Sequence, residues 1–327
     1  MGTKDFLIDI YSAYPLKGRK TEETFYNYIK TVLERFLVGL KDIEENELIQ
    51  IVNDGFRIGH FRASYTKQRF INLMNKVCDD FLKMLQLCYK GDFYNAHNLL
   101  EKVLNKQRYG LYLEEHYRNY FSFKDPNQEY FRMRDEDEYE EDGTPKIVDN
   151  CWHVPYDKRH VAYTGRFSLL GYPCLYLASS KETCNAELGE LKKGRVRWVS
   201  SFIYKGHSFV YDFRLPVVDD IKCASYYDQF TMFLQYPLLA MCYCVKQVNG
   251  FNEEYFIPQL LFHHIFVANN NGLQFDGLAY TSTRGVNGFN IAFPAKYDGL
   301  IPPSSGYSEY LTHILEATKP EIYAVGV

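Results

Sequence analysis

GRFSLLGYPCLYLASSKETCNAELGE, residues 165–190, reads as a turn, a buried strand and the start of a helix. It sets Arg166, two tyrosines and three glutamates around a small apolar core. Surface turns carry arginine and helices carry glutamate, so those intervals have a purely structural reading. The flanking sequence adds to it. Short β-rich runs (CWHVP, CLYLA, VRWVSSFIY, SFVYDF, IFVAN) are interrupted by helix-compatible segments (KETCNAELGELKK, YDQFTMFLQYPLLAMCYCVKQ, YFIPQLLFHHI). Strands interrupted by helices, without regular alternation, predict an α+β domain. Pro258 falls near the start of the last helical segment, where a missing N–H costs little.

Towards the N-terminus the pattern is helical. TEETFYNYIKTVLERFLVGL opens with Thr21 as a candidate N-cap and with Glu22 and Glu23 where the helix dipole favours negative charge. RFINLMNKVCDDFLKMLQLCYK has the same periodicity and ends at Gly91, and GDFYNAHNLLEKVLN predicts one more short helix. The resulting hairpin has the phrasing of a single tetratricopeptide-type unit, and one unit is not a repeat array. Residues 135–142, DEDEYEED, followed by GTPK, read as a solvated, self-repelling block and place a domain boundary near residue 145. The expected organisation is a helical domain over 1–145 and a second domain over 146–327.

Composition narrows the function classes. The chain has 327 residues, 46% of them hydrophobic, and a formal charge of −4. That balance lacks the basic footprint of non-specific nucleic-acid binding. No stretch approaches about 18 uninterrupted apolar residues, and the first residues lack a signal-peptide pattern, so the expectation is a cytoplasmic protein without a membrane partner. Phe6 stands where a myristoylation signal wants Ser or Thr. The eight cysteines form no CxxC pair, and neither Cys242 with Cys244 nor the adjacent His263 and His264 can aim at one metal from a helix. No metal site and no prosthetic group are expected.

The opening stretch and FDGLAYTSTRG, residues 275–285, together resemble the two signature blocks of the RES domain family, named for its Arg, Glu and Ser. The resemblance covers roughly residues 150–300 and leaves the first 145 outside it. It implies a RES-type, ADP-ribosyltransferase-like mixed β-sheet domain with helices, and an NAD-degrading toxin that splits the nicotinamide–ribose bond with water or inorganic phosphate as acceptor. NAD is then the substrate and phosphate a candidate co-substrate. By the family's pattern the catalytic positions fall on Arg166, Tyr176, Glu187 and Ser282.

Each implied position has a chemical reason. Cleaving an N-glycosidic bond passes through an oxocarbenium-like ribose, so a carboxylate such as Glu187 can stabilise charge, bond a ribose hydroxyl or steer the acceptor. Arg166 matches phosphate oxygens bidentately, and Gly165 beside it lets backbone approach a ligand. Tyr176 reads equally as a core aromatic or as a ring stacked on nicotinamide. Ser282 lacks the G-x-S-x-G elbow of an acyl-transfer nucleophile, so a hydrogen bond to carboxamide or ribose is its economical role. Arg284, two residues on, shares its face if the strand continues. Many family members carry a further arginine near the domain's first strand, and CWHVPYDKRH stands there in this chain. His153 and Arg159 are the candidate replacements on the substrate. The spacing of Glu187 to Ser282 suggests an insertion, with 220–258 as the candidate.

Two other classes stay open: an ADP-ribosyltransferase acting on a macromolecule, with Glu190 as a second acidic residue, and a non-catalytic partner-binding module. Toxins of this family are held in check by an antitoxin. The helical domain could replace that regulatory partner, bind a trigger, or assemble the chain as a homo-oligomer.

Overall fold

RFINLMNKVCDDFLKMLQLCYK forms helix α4 (Lys67–Tyr89), and both of its ends follow from local chemistry. Thr66 caps it by accepting from Arg69 N at 3.3 Å. Beyond its end Gly91 takes φ 75°, so that Gly91 N reaches Cys88 O at 3.0 Å and Asp92 N reaches Leu87 O at 2.9 Å. Helices α1 (Thr3–Ser12), α2 (Phe25–Asp42), α3 (Glu45–Ile58) and α5 (Phe93–Leu104) complete the N-terminal set. Thr24, not Thr21, caps α2 by accepting from Asn27 N, while Thr21 and Glu22 lie outside the described residues. This computed structural model describes residues 1–16, 23–58, 65–104, 119–122, 128–162, 164–169, 171–205, 209–245, 252–268, 275–297, 301 and 303–326.

The chain is α+β and divides into two compact units, Met1–Asn119 with Leu215–His264, and Tyr120–Arg214 with Ile265–Val327. The division differs from a single boundary near 145. The candidate insertion at 220–258 falls within the stretch Leu215–His264, which packs with the N-terminal helices. In this helical unit α7 (Val218–Cys223) packs against α1, and α8 (Tyr226–Cys242) against α1, α2, α3 and α4. Such a helix is buried nearly all round, with Phe230, Phe233, Leu238, Ala240 and Met241 fully inaccessible. Phe233 stacks on Phe6 and meets Phe70 edge-on, with ring centroids 6.2 and 6.1 Å away.

The sheet unit is built on β1 (Asn119–Ser122), β2 (Glu129–Asp137), β3 (Cys174–Ala178), β4 (Arg195–Tyr204), β5 (Phe209–Asp212), β6 (Gly277–Thr281), β7 (Phe289–Pro294), β8 (Leu315–Ala317) and β9 (Glu321–Val325). Their order is β1-β5-β6-β7-β3-β2-β4-β8, with β9 also on β4. β5 and β6 are parallel, whereas β6–β7, β7–β3, β3–β2 and β2–β4 are antiparallel. Period-two alternation sorts the faces. Leu175, Leu177, Ala279, Ile291 and Phe293 bury one face. The other receives α6 (Lys181–Leu188), whose Cys184 packs on Met133, Ala178 and Val199.

The acidic block is divided: residues 138–142 form a turn exposed over 139–142, while its first three residues belong to the sheet. Asp135, Glu136 and Asp137 are the last residues of β2, where Asp135 and Asp137 lie opposite Arg197 and Arg195 of β4. Opposite charges across the pair replace the expected self-repulsion. Two other expectations give way. CWHVP forms no strand and leads into a 3-10 turn (Tyr156–Val161), and IFVAN falls largely within a π-helical turn (His264–Ala268). Short apolar runs carry too little periodicity to separate these states.

Phe233→Ala is expected to destabilise the helical unit by about 3–5 kcal/mol, because the cavity sits where three helices meet. Urea unfolding followed by circular dichroism measures it.

Candidate active site

The candidate site is assembled on the sheet face that receives α6. Cross-strand register places Tyr176 opposite Ala292, and Ala178 and Tyr280 on either side of Asn290, so Tyr176, Tyr280 and Asn290 share that face. Ser282 follows the last residue of β6 and prolongs the hairpin, its N–H donating to Gly288 O at 2.9 Å.

Glu187, in the last turn of α6, reaches down to this face. Its Oε1 accepts from Ser282 Oγ at 2.8 Å and from Asn290 Nδ2 at 2.7 Å. Its Oε2 lies 3.5 Å from Arg284 Nε. Ser282 Oγ in turn accepts from Arg284 N at 3.2 Å, which orients the hydroxyl towards the carboxylate. Ser282 and Asn290 are buried, whereas the Glu187 and Arg284 side chains remain 30% and 44% exposed. One carboxylate oxygen is therefore fixed and the other faces a partly open edge. Arg284 sits in the turn between β6 and β7, since the strand ends at Thr281 and does not carry it.

The Gly-Arg turn is fastened to the same face at two points. A Cβ on Gly165 would stand 2.4 Å from the Tyr176 hydroxyl, so no other residue lets this backbone lie against that ring. Gly165 N donates to Ser168 Oγ at 2.7 Å, and Phe167 packs on Tyr280 with centroids 4.8 Å apart. Arg166, between these anchors, is buried. The glycine thus answers to Tyr176, a reason different from the ligand approach expected of it.

His153 and Arg159 are not brought into this network. His153 is buried with both ring nitrogens engaged, Nδ1 with Val154 O at 2.7 Å and Nε2 accepting from Ser308 N at 3.0 Å. Burial, the largest cause, pushes its pKa down to about 4. Arg159 is exposed on the 3-10 turn.

The sequence reading missed two residues. Asn290 is a buried amide in the apolar run FNIAFP, an out-of-place polar residue that was legible as a signal. Arg132, on β2, was hidden by placing the domain boundary after it. β2 and β3 share only the pair Phe131 and Ala178, and Arg132 Nη1 donates to Tyr176 O at 3.3 Å. Its Nε is buried without a hydrogen-bond partner, and burial lowers the guanidinium's pKa. Met133 packs with Cys184 of α6, so alternation along β2 turns Arg132 to the face opposite Glu187. Among the described residues no cluster of His, Cys, Asp and Glu could hold a metal, and no helix is long and apolar enough to cross a membrane.

Two measurements follow. Gly165→Ala is expected to lower the Tm by several degrees, about the effect of a 1–3 kcal/mol overpacking, with partial recovery in Gly165→Ala/Tyr176→Phe, which removes the nearest atom. For His153, the folded pKa of about 4 lies below the usual 6.5, so its neutral form is the one the fold accepts. Its stabilising contribution is complete above pH 6.5 and is lost as pH falls towards 4, by at most about 3 kcal/mol. Unfolding free energies between pH 7 and 4.5 should fall less steeply in His153→Gln.

Comparison with known proteins gives one partial likeness. The chain is 29% identical over 149 residues to a protein of Bacillus subtilis (strain 168) named "Putative toxin YopC". The match spans 42% of this chain and 33% of that protein's length. No protein-family model matches the chain, and no solved structure does.

Proposed function

We propose that the sheet unit cleaves the nicotinamide–ribose bond of NAD and that the chain acts as a toxin by depleting NAD. The observation that carries this reading is the Glu187 carboxylate, held on Oε1 by Ser282 and Asn290, with Oε2 beside Arg284 at a partly exposed edge. Two further facts support it: the resemblance of residues 165–190 and 275–285 to the RES blocks, and the likeness to a protein whose name says toxin.

In the reaction the bond from the ribose anomeric carbon to the pyridinium nitrogen breaks, and its electron pair neutralises the departing nicotinamide. An oxygen of water or phosphate forms the new bond to that carbon, and water releases its proton to solvent. A fixed carboxylate beside the ribose stabilises the positive charge that develops in between. Ser282 and Asn290 hold it in one orientation, so little reorganisation is needed as charge builds. Arg166 is assigned to the pyrophosphate, and Tyr176 to the pocket wall. A producer of such a chain needs it restrained, and an antitoxin-like protein is the partner this reading calls for.

Incubation with NAD, with and without phosphate, should release free nicotinamide, detectable by chromatography. Glu187→Gln should lower that release by at least about 100-fold with an unchanged circular dichroism spectrum. NAD that survives intact in both buffers overturns the proposal, and transfer of ADP-ribose mass onto an added protein replaces it with the transferase reading.

A further inference from the structure

Glu187 belongs to a helix too short to hold itself. α6 has eight residues, and isolated helices below about 12 residues are marginal in water. Its N-terminus is capped by Ser180 Oγ, which accepts from Thr183 N at 3.1 Å. Its other end is gripped from below. Arg197 of β4, with its side chain 2% exposed, donates from Nη1 to Asn185 Oδ1 at 2.5 Å and to Gly189 O at 2.9 Å. Those two residues flank Glu187 by two positions on each side. Gly189 closes the helix at φ 76°, its own N–H returning to Asn185 O at 3.1 Å.

The guanidinium is itself fixed. Asp135, directly opposite on β2, accepts from Nε at 2.7 Å and from Nη2 at 2.8 Å, a planar two-point pair that leaves Nη1 aimed at the helix end. Two positions along the same strands, Arg195 pairs with Asp137 at 2.7 Å, and that more exposed pair has no hydrogen bond to α6. The two pairs share chemistry and strands and differ in what the arginine's remaining donors reach.

We infer that Arg197 and Asp135 are positioning residues for Glu187: the ion pair between β2 and β4 clamps the last turn of α6 and thereby sets where the carboxylate stands. The inference rests on the reading of Glu187 as the site's reacting carboxylate. Neither residue touches the substrate. Their loss lets the helix end fray, so the carboxylate reaches its place only part of the time. The grip on the substrate's phosphates, assigned to Arg166 in the turn before β3, stands on another element and is expected to be unaffected. The expected signature is thus a fall in kcat with KM held.

The test uses the full chain as wild type, Asp135→Asn and Arg197→Lys, with Asp137→Asn as the control for losing an acidic partner on β2. Hydrogen exchange of the amides over 181–189 should be at least about 10-fold faster in the two clamp variants and unchanged in the control. NAD turnover should show kcat reduced at least about 10-fold, with KM within about 3-fold of wild type. Wild-type exchange over 181–189 in both clamp variants overturns the inference, and so does faster exchange with an unaltered kcat. Should Arg197→Lys fail to fold, Asn185→Ala removes one arm of the grip from the helix side and takes its place. A wild-type protein that leaves NAD intact refutes the proposed activity, and the exchange comparison then decides the clamp alone.

Discussion

A single carboxylate ties three separate pieces of chain together. Glu187 belongs to α6, and its partners Ser282 and Asn290 come from the two arms of the β6–β7 hairpin, about a hundred residues later. Burying a serine hydroxyl and an asparagine amide beside an apolar sheet costs free energy unless both find partners. The carboxylate supplies both. The network is therefore a constraint on the fold as much as a candidate for chemistry: the hairpin register must deliver two polar side chains to one oxygen, and a one-residue slip would send Asn290 to the opposite face.

The same economy explains the Gly-Arg turn. With Gly165 against the Tyr176 hydroxyl and Phe167 against Tyr280, two adjacent anchors leave Arg166 little freedom. Nearby, β2 and β3 touch through one residue pair, and Arg132 reaches from β2 to the Tyr176 carbonyl. A strand that gives up its ladder to a neighbour normally leaves backbone groups to be satisfied some other way. Here a guanidinium supplies one donor and retains another, Nε, without a protein acceptor.

What the sequence made legible was local. The strand CLYLA, the helix that follows it, and the C-terminal stop of α4 at Gly91 all rest on neighbouring residues, and they are found where periodicity and turn chemistry put them. Ser282 and Glu187 were singled out through a motif, and the hydrogen bond between them could not be read from spacing. Failures came where a residue's meaning depends on a distant partner. DEDEYEED looked like solvated charge because Arg195 and Arg197 stand about 60 residues away, and only the β2–β4 register brings them opposite. The same misreading moved the boundary past Arg132 and turned attention to His153, whose imidazole is consumed by Ser308 N–H and its own neighbourhood.

The interruption of the sheet unit by Leu215–His264 has a consequence for how the chain is made. Helices α1 to α5 leave the ribosome long before α8, the rod around which they close, so their apolar faces must wait through the synthesis of β1 to β5. The early strands are equally incomplete until β6 and β7 arrive. The helical unit is complete once His264 has emerged, whereas assembly of the Glu187 network is deferred until nearly the last part of the chain has been made. A nascent fragment released before the β6–β7 hairpin would hold Glu187 without either of its hydrogen-bond donors.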